Sequence, residues 1–217
     1  MSVDKTTLEN LRQDYRSAIL TEKEAPAEPF TLFGTWFNQA LAAGVSEPNA
    51  MTLATASPAG KPSARIVLLK GFSPDGFVFY TNYLSKKGKE IAKNPVAALV
   101  FFWPEIERQV RIEGTIEKVS KEQSEAYFHS RPKSSQIGAL TSPQSQVIAS
   151  RDVLENKWAE LELKYHDSEV PKPSYWGGYL VKPQTIEFWQ GGASRLHDRI
   201  IYLKADKSNW KIARLAP

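Results

Sequence analysis

A chain of 217 residues is long enough for one large or two small domains with a buried core. It has no cysteine, which excludes disulfides, thiolate metal sites and cysteine nucleophiles and suits a reducing compartment. Its net charge of +4 is spread along the chain, which fits a small anionic ligand at least as well as a nucleic acid. The longest apolar run, Val96 to Trp103, is too short to span a bilayer, and the polar start Met1 to Lys5 carries no signal-type apolar region, so a cytoplasmic protein without a membrane partner is expected.

Leu8, Leu11, Tyr15 and Ile19 form a helical stripe over Thr6 to Leu20, and the breaker-rich Glu24 to Pro29 follows. Residues 1–29 are therefore expected to be a mobile segment, with 30–217 as a single domain. A helix over Thr31 to Ala43 is expected to bury Phe33, Phe37 and Leu41 and to end at Gly44. The period then changes to that of strands: Met51 to Ala56, Ala64 to Lys70 and Phe77 to Thr81 read as a three-stranded meander, with turns at Pro58 to Gly60 and Ser73 to Gly76. A helix near Ser85 to Ile91 precedes strands at Val96 to Trp103 and Arg108 to Val119. Five antiparallel strands suggest a barrel or a strongly curled sheet. Ser120 opens a helix that must end before Pro132, and Ser134 and Ser135 mark a new helix start. A helix over Asp152 to Tyr165 carries Leu154, Trp158, Leu161 and Tyr165 on one stripe. Strands return at Trp176 to Val181, Thr185 to Trp189, Leu196 to Leu203 and Trp210 to Leu215, giving an α+β fold.

Four stretches concentrate chemistry. Read as part of a strand, Arg195, His197 and Arg199 share a face, so this row of cations meets either solvent or an anion, with Trp189 and Gly191-Gly192 beside it. Lys86 and Lys87 sit at a helix N-terminus, where lysines are unfavourable unless an anion compensates them. Tyr127 and Arg131, four apart on a helix, converge with Ser135 as a second candidate phosphate site. Arg65 and Lys70 close an apolar strand and fall on opposite faces. The three histidines, His129, His166 and His197, have no metal-binding spacing, so no metal is expected. There is no Walker or Rossmann glycine pattern and no convincing nucleophile, so a bound organic cofactor is the expected source of reactivity.

Arg65 to Lys70, Phe79 to Asn82 with Ser85 to Lys87, Glu107 to Val110, Tyr127 to Pro132, Ser135 to Gly138, Trp176 to Gly178, Glu187 to Gly192, Arg195 to Arg199 and Arg214 to Pro217 together resemble the pyridoxamine 5′-phosphate oxidases, over nearly the whole chain from Leu11. The resemblance implies an FMN-binding split barrel, a homodimer with FMN at the interface, and oxidation of pyridoxamine or pyridoxine 5′-phosphate to pyridoxal 5′-phosphate, with O2 reoxidising the flavin to give H2O2. By motif, FMN contacts are Arg65, Ile66, Val67, Leu68, Leu69, Lys70, Tyr80, Thr81, Lys86, Lys87, Gln109, Gln144, Ser145, Trp189 and Arg199. Substrate contacts are Lys70, Tyr127, Arg131 and Ser135 for the phosphate, with Arg195 and His197 near the pyridine ring, and Arg12 and Tyr15 in a covering segment. Hydride transfer from substrate C4′ to flavin N5 is implied, with Arg195 orienting the ring and stabilising charge on it and His197 an orienting partner. Gln13 and Lys86 depart from the family pattern, which often has arginine at both places; a lysine keeps the charge but gives up bidentate geometry. A split-barrel flavin reductase, a pyridoxal-phosphate carrier and a basic nucleic-acid-binding barrel are the rival readings, the last disfavoured because most aromatics fall on core-facing stripes.

Overall fold

The computed structural model describes residues 11, 15, 18–206 and 209–217. Most of the helix expected over Thr6 to Leu20, Arg12 included, lies outside the described residues. Five α-helices are described, α1 (Pro29–Ala42), α2 (Lys86–Lys93), α3 (Lys121–Ser130), α4 (Lys133–Thr141) and α5 (Asp152–Lys164). With them are nine strands, β1 (Ala50–Ala56), β2 (Pro62–Leu68), β3 (Gly71–Ser73), β4 (Gly76–Asn82), β5 (Val96–Trp103), β6 (Arg108–Lys118), β7 (Trp176–Gln190), β8 (Asp198–Lys204) and β9 (Trp210–Arg214). The class is α+β, and every strand pair with a described register is antiparallel. No described helix is long and apolar enough to cross a membrane.

Hydrogen bonding follows the order β2-β1-β5-β6-β7-β4-β3, with β8 between β7 and β9. This corrects the expected meander: β4 pairs with β7, Phe77 opposite Val181 and Asn82 opposite Trp176, not with β2. The backbone changes partners just after β2, where Leu69 N–H donates to Asn49 and Lys70 N–H to Val78. Two further expectations change. Trp176–Gln190 is one strand running through Pro183, and a short β3 forms a hairpin with β4.

The chain forms two compact units. One comprises Met1–Pro48, Val100–Ile112 and Thr185–Pro217. Its core is aromatic: Phe33 meets Phe101 at 5.2 Å, Trp36 meets Phe188 at 5.2 Å, and Phe188 meets Tyr202 at 5.6 Å, mostly edge to face as ring quadrupoles prefer. Burial pushes the Tyr202 phenol up to about 12, and the phenol donates to the Pro26 carbonyl. In α1 the buried stripe is Leu32, Phe33, Trp36 and Ala40, and Leu41 faces solvent at 53 % exposure, contrary to its expected burial. The helix ends as expected, with Gly44 left-handed at φ 71°.

The other unit comprises Asn49–Leu99 and Glu113–Gln184. Its strands bury Met51, Leu53, Phe77, Phe79 and Leu99, while a second cluster of Phe128, Ile137, Leu161, Val170 and Trp176 packs under α3, α4 and α5. Ser85 and Ser120 cap α2 and α3, accepting from Gly88 N–H and Gln123 N–H, which is why both helices start where the sequence places them. Phe33→Ala is expected to cost about 3–5 kcal/mol in denaturant unfolding, whereas Leu41→Lys should stay within about 0.5 kcal/mol. Equal losses would restore Leu41 to the core.

Candidate functional site

A cleft of about 780 Å³ opens in the unit of β1 to β4, lined by Ile66, Val67, Leu68, Lys70, Tyr80, Thr81, Lys87, Tyr127, Arg131, Ser135 and Gln144 among others. Eleven of the residues named from the sequence thus face one volume of ligand-binding size.

At one place in its wall is Lys87. Ser85 caps α2, and the Lys87 side chain turns back from the first helical turn so that its ammonium donates to Gln144 Oε1 (3.0 Å), Thr81 Oγ1 (3.2 Å) and Ser85 Oγ (3.4 Å). The residue is only 8 % exposed, and these described partners are all neutral oxygens. Burial first, and the Arg65 charge second, hold its pKa below the usual lysine value. A desolvated cation at a helix N-terminus without a counter-ion is the electrostatic complement of a phosphate.

Arg131 follows the last turn of α3. One guanidinium nitrogen, Nη2, donates to the Ser135 carbonyl at 2.7 Å, while Nη1 is buried with no hydrogen-bond partner. The group lies 4.6 Å over the Trp176 ring, and burial lowers its pKa. Three near-parallel rings build the adjacent wall: Tyr80 and Tyr127 stack at 3.8 Å, and Trp176 lies 5.6 Å from Tyr80. Gly178 makes this possible, because a Cβ there would come within 2.8 Å of the Tyr80 ring. An orphaned, buried guanidinium donor is a second place for an anionic oxygen.

Other named residues of this unit lie outside the cleft lining. Arg65 turns to Glu90, Leu69 is buried, Lys86 is largely exposed 4.0 Å from Glu90, and Ser145 is exposed with φ 70°.

The remaining named residues belong to the other unit. There the expected row of cations does not exist. Ala193–Arg195 is a 3₁₀ turn with Ser194 and Arg195 left-handed, and β8 starts only at Asp198, so Arg195 and His197 are not alternate strand positions with Arg199. Arg199 is paired: its Nε donates to Glu187 Oε1 at 2.8 Å, a carboxylate it shares with Arg111 at 3.2 Å. His197 Nδ1 accepts from Gly192 N–H at 3.1 Å, which places any ring proton on Nε2, and its ring lies 4.6 Å from Trp189. Tyr15 meets Trp189 at 5.7 Å, over Gly191, where a Cβ would come within 2.7 Å of the Tyr15 side chain. Gln109 is half-buried on β6.

A family model described as pyridoxamine 5′-phosphate oxidase matches residues 37–165, and one described as the pyridoxine 5′-phosphate oxidase C-terminal dimerisation region matches 176–217. The chain belongs to the pyridoxamine 5′-phosphate oxidase family. A pyridoxine/pyridoxamine 5′-phosphate oxidase of Trichormus variabilis is 56 % identical over 97 % of this chain and 99 % of its own length, and one of Burkholderia thailandensis is 55 % identical over 98 % and 100 %. Among solved structures, PhzG from Burkholderia lata, in complex with tetrahydrophenazine-1-carboxylic acid, is 30 % identical, with a TM-score of 0.86 over 92 % of this chain and 98 % of its own. A pyridoxamine 5′-phosphate oxidase-related, FMN binding protein from Nostoc punctiforme is 18 % identical, with a TM-score of 0.68 over 84 % and 96 %, and shares the fold. The antiparallel sheet with its flanking helices is thus the split barrel of this family.

Sequence reasoning missed Trp176 and Trp158 as cleft walls, and Glu90 and Glu187 as the partners of Arg65 and Arg199. The tryptophans were readable only as parts of a motif and a helical stripe; the carboxylates left no local signal, because each meets its arginine across strands or elements.

Lys87→Met should leave the ligand-free protein at least as stable as wild type, since it removes a buried charge that only neutral groups support. Because the folded-state pKa is lowered, the unfolded chain binds more protons, so this residue's contribution rises with pH from the lowered value towards 10.5. Chemical denaturation across that range should show the rise in wild type and lose this component in the variant. A marked destabilisation of the variant at neutral pH would mean that the ammonium has a structural role.

Proposed function

We propose that the protein is an FMN-dependent oxidase converting pyridoxamine or pyridoxine 5′-phosphate to pyridoxal 5′-phosphate, with O2 as electron acceptor and H2O2 as co-product. The observation that carries this reading is the pair of cationic groups without a described counter-charge in one cleft, Lys87 among neutral oxygens and Arg131 with its orphaned Nη1. Two anion places match a phosphorylated cofactor together with a phosphorylated substrate, and family membership supports assigning FMN to the first.

In this assignment Lys87, Thr81 and Gln144 hold the cofactor phosphate, with Arg65 and Lys86 adding charge and Ile66 to Leu68 supplying the wall. Tyr127, Arg131, Ser135 and Lys70 hold the substrate phosphate. Bound FMN supplies two-electron acceptor chemistry that no side chain here offers. The protein's work is positioning: clamping a distant phosphate removes rotational freedom at the reacting carbon. Arg195 and His197 orient the pyridine ring, and the Gly192 hydrogen bond leaves His197 Nε2 as its donor. We further assign Gln109, Ser145, Trp189 and Arg199 to FMN in a homodimer whose cofactor touches both chains, which the dimerisation region matched at 176–217 supports. Residues 1–29 are assigned to a segment covering the site of the domain formed by 30–217, with Tyr15 on Trp189 as its described contact.

The relative bound to a phenazine carboxylic acid favours one second reading, oxidation of a carboxylated ring system. The Arg131 grip weighs for a phosphorylated substrate. The purified protein should be yellow and sediment as a dimer, and anaerobic pyridoxamine 5′-phosphate should bleach its flavin absorbance, with air restoring the colour and yielding H2O2. Bleaching by tetrahydrophenazine-1-carboxylic acid but not by the phosphate ester would establish the second reading instead.

Arg131→Ala should raise KM roughly tenfold or more, since the phosphate is held alike in ground and transition states. Arg195→Ala should also lower kcat, because it loosens the ring where the bond breaks. Steady-state kinetics on variants matched for flavin content test both; a wild-type kcat in Arg195→Ala with kcat lost in Arg131→Ala would reverse the two ends of the substrate.

A further inference from the structure

Arg65 does not line the cleft although its neighbours Ile66, Val67 and Leu68 do. Its guanidinium is nearly saturated. Nη1 donates to Thr55 Oγ1 (2.6 Å) and to the Leu53 carbonyl (3.2 Å), and Nη2 donates to Ser63 Oγ (2.6 Å) and Glu90 Oε2 (3.4 Å), leaving only Nε. The two hydroxyls can accept from Arg65 only if their own protons point elsewhere. Both point at one atom: Thr55 and Ser63 each donate to Glu90 Oε2 at 2.6 Å.

Glu90 therefore sits where three elements meet. Thr55 is on β1, Ser63 and Arg65 are on β2, and Glu90 itself is on α2, one turn beyond Lys87. Its other oxygen, Oε1, is 4.0 Å from the Lys86 ammonium, and its side chain is 12 % exposed. Burial pushes this carboxyl up, but the hydrogen bonds from Ser63 and Thr55 and the charges of Arg65 and Lys86 outweigh it and hold the group below its ordinary value, so it is ionised and acts only as an acceptor.

We propose that Glu90 is a positioning residue for the cofactor-phosphate grip: by taking the hydroxyl protons of Thr55 and Ser63 it turns their lone pairs onto Arg65 and fixes that guanidinium against the helix turn that carries Lys86 and Lys87. Arg65 then contributes a fixed charge to the grip. The inference rests on assigning the Lys87 end of the cleft to the FMN phosphate.

The test is fluorescence titration of the full-length protein, freed of flavin, with FMN and with riboflavin, which lacks the phosphate. Glu90→Leu should raise the Kd for FMN about tenfold and leave that for riboflavin within about twofold. Glu90→Gln should recover most of the FMN affinity, because its carbonyl oxygen still accepts both hydroxyls. Ser63→Ala removes one arm while leaving the Glu90 carboxylate in place with its Thr55 hydrogen bond, and should raise the FMN Kd about threefold, so the test stands even if Glu90→Leu does not fold. Equal weakening for both flavins, unchanged FMN affinity in Glu90→Leu and Ser63→Ala, or a Gln variant as poor as the Leu variant overturns the proposal. A wild-type protein that binds riboflavin as tightly as FMN overturns the phosphate assignment itself and the proposal with it.

Discussion

The burial of cations without counter-ions is the constraint around which this protein is arranged. Lys87 has an ammonium among hydroxyl and amide oxygens, and Arg131 has a guanidinium nitrogen with no partner at all. Each costs the fold stability, because neutral oxygens replace the hydration of a charge only in part. The cost is tolerated by rigid surroundings: a serine-capped helix holds Lys87, and the Tyr80, Tyr127 and Trp176 rings with the Phe128 cluster hold the wall beside Arg131. A site so built does not have to reorganise when an anion arrives, which is what pre-organised electrostatic binding requires.

The other arginines near candidate functional residues show the contrast. Arg65 is held by Glu90, Arg199 and Arg111 by Glu187, and Arg214 by Glu22 and Asp198. The Arg214 contacts hold the exposed Glu22 carboxyl at about 2, chiefly through the side-chain hydrogen bond, and Arg214 also bonds the Leu20 carbonyl, tying the start of the described chain to β9. These carboxylate-paired arginines carry out structural or positioning work, whereas Lys87 and Arg131, whose described partners are neutral or missing, face the cleft. Exposed pairs such as Glu22 with Arg214 are screened and add little stability, so their value is in fixing geometry.

Left-handed residues mark where the backbone departs from the expected pattern. Ser194 and Arg195 both have positive φ, which interrupts the run from Trp189 to β8 and folds the chain over Gly192, so that His197 can accept the Gly192 N–H. Non-glycine residues take this conformation at a cost that surrounding contacts must offset, and such positions concentrate at functional loops. Ser145, beside Gln144, is another.

Element types and several of their ends were legible in the sequence because they depend on local rules: Ser85 and Ser120 cap helices, Gly44 ends one, and Pro132 separates α3 from α4. The grouping of Tyr127, Arg131 and Ser135 was legible for a related reason, since Tyr127 and Arg131 are four apart at the end of one helix and Ser135, just past Pro132, lies in the first turn of the next. Only the tertiary structure decided that β4 pairs with β7 rather than β2, that Leu41 faces water, that Arg195, His197 and Arg199 do not form a row, and that Glu90 and Glu187 each hold an arginine. Each of these turns on which distant segment supplies a hydrogen bond or a counter-charge. Period and capping carry no information about that, because strand pairing and burial are settled by the competition of all segments for the same core.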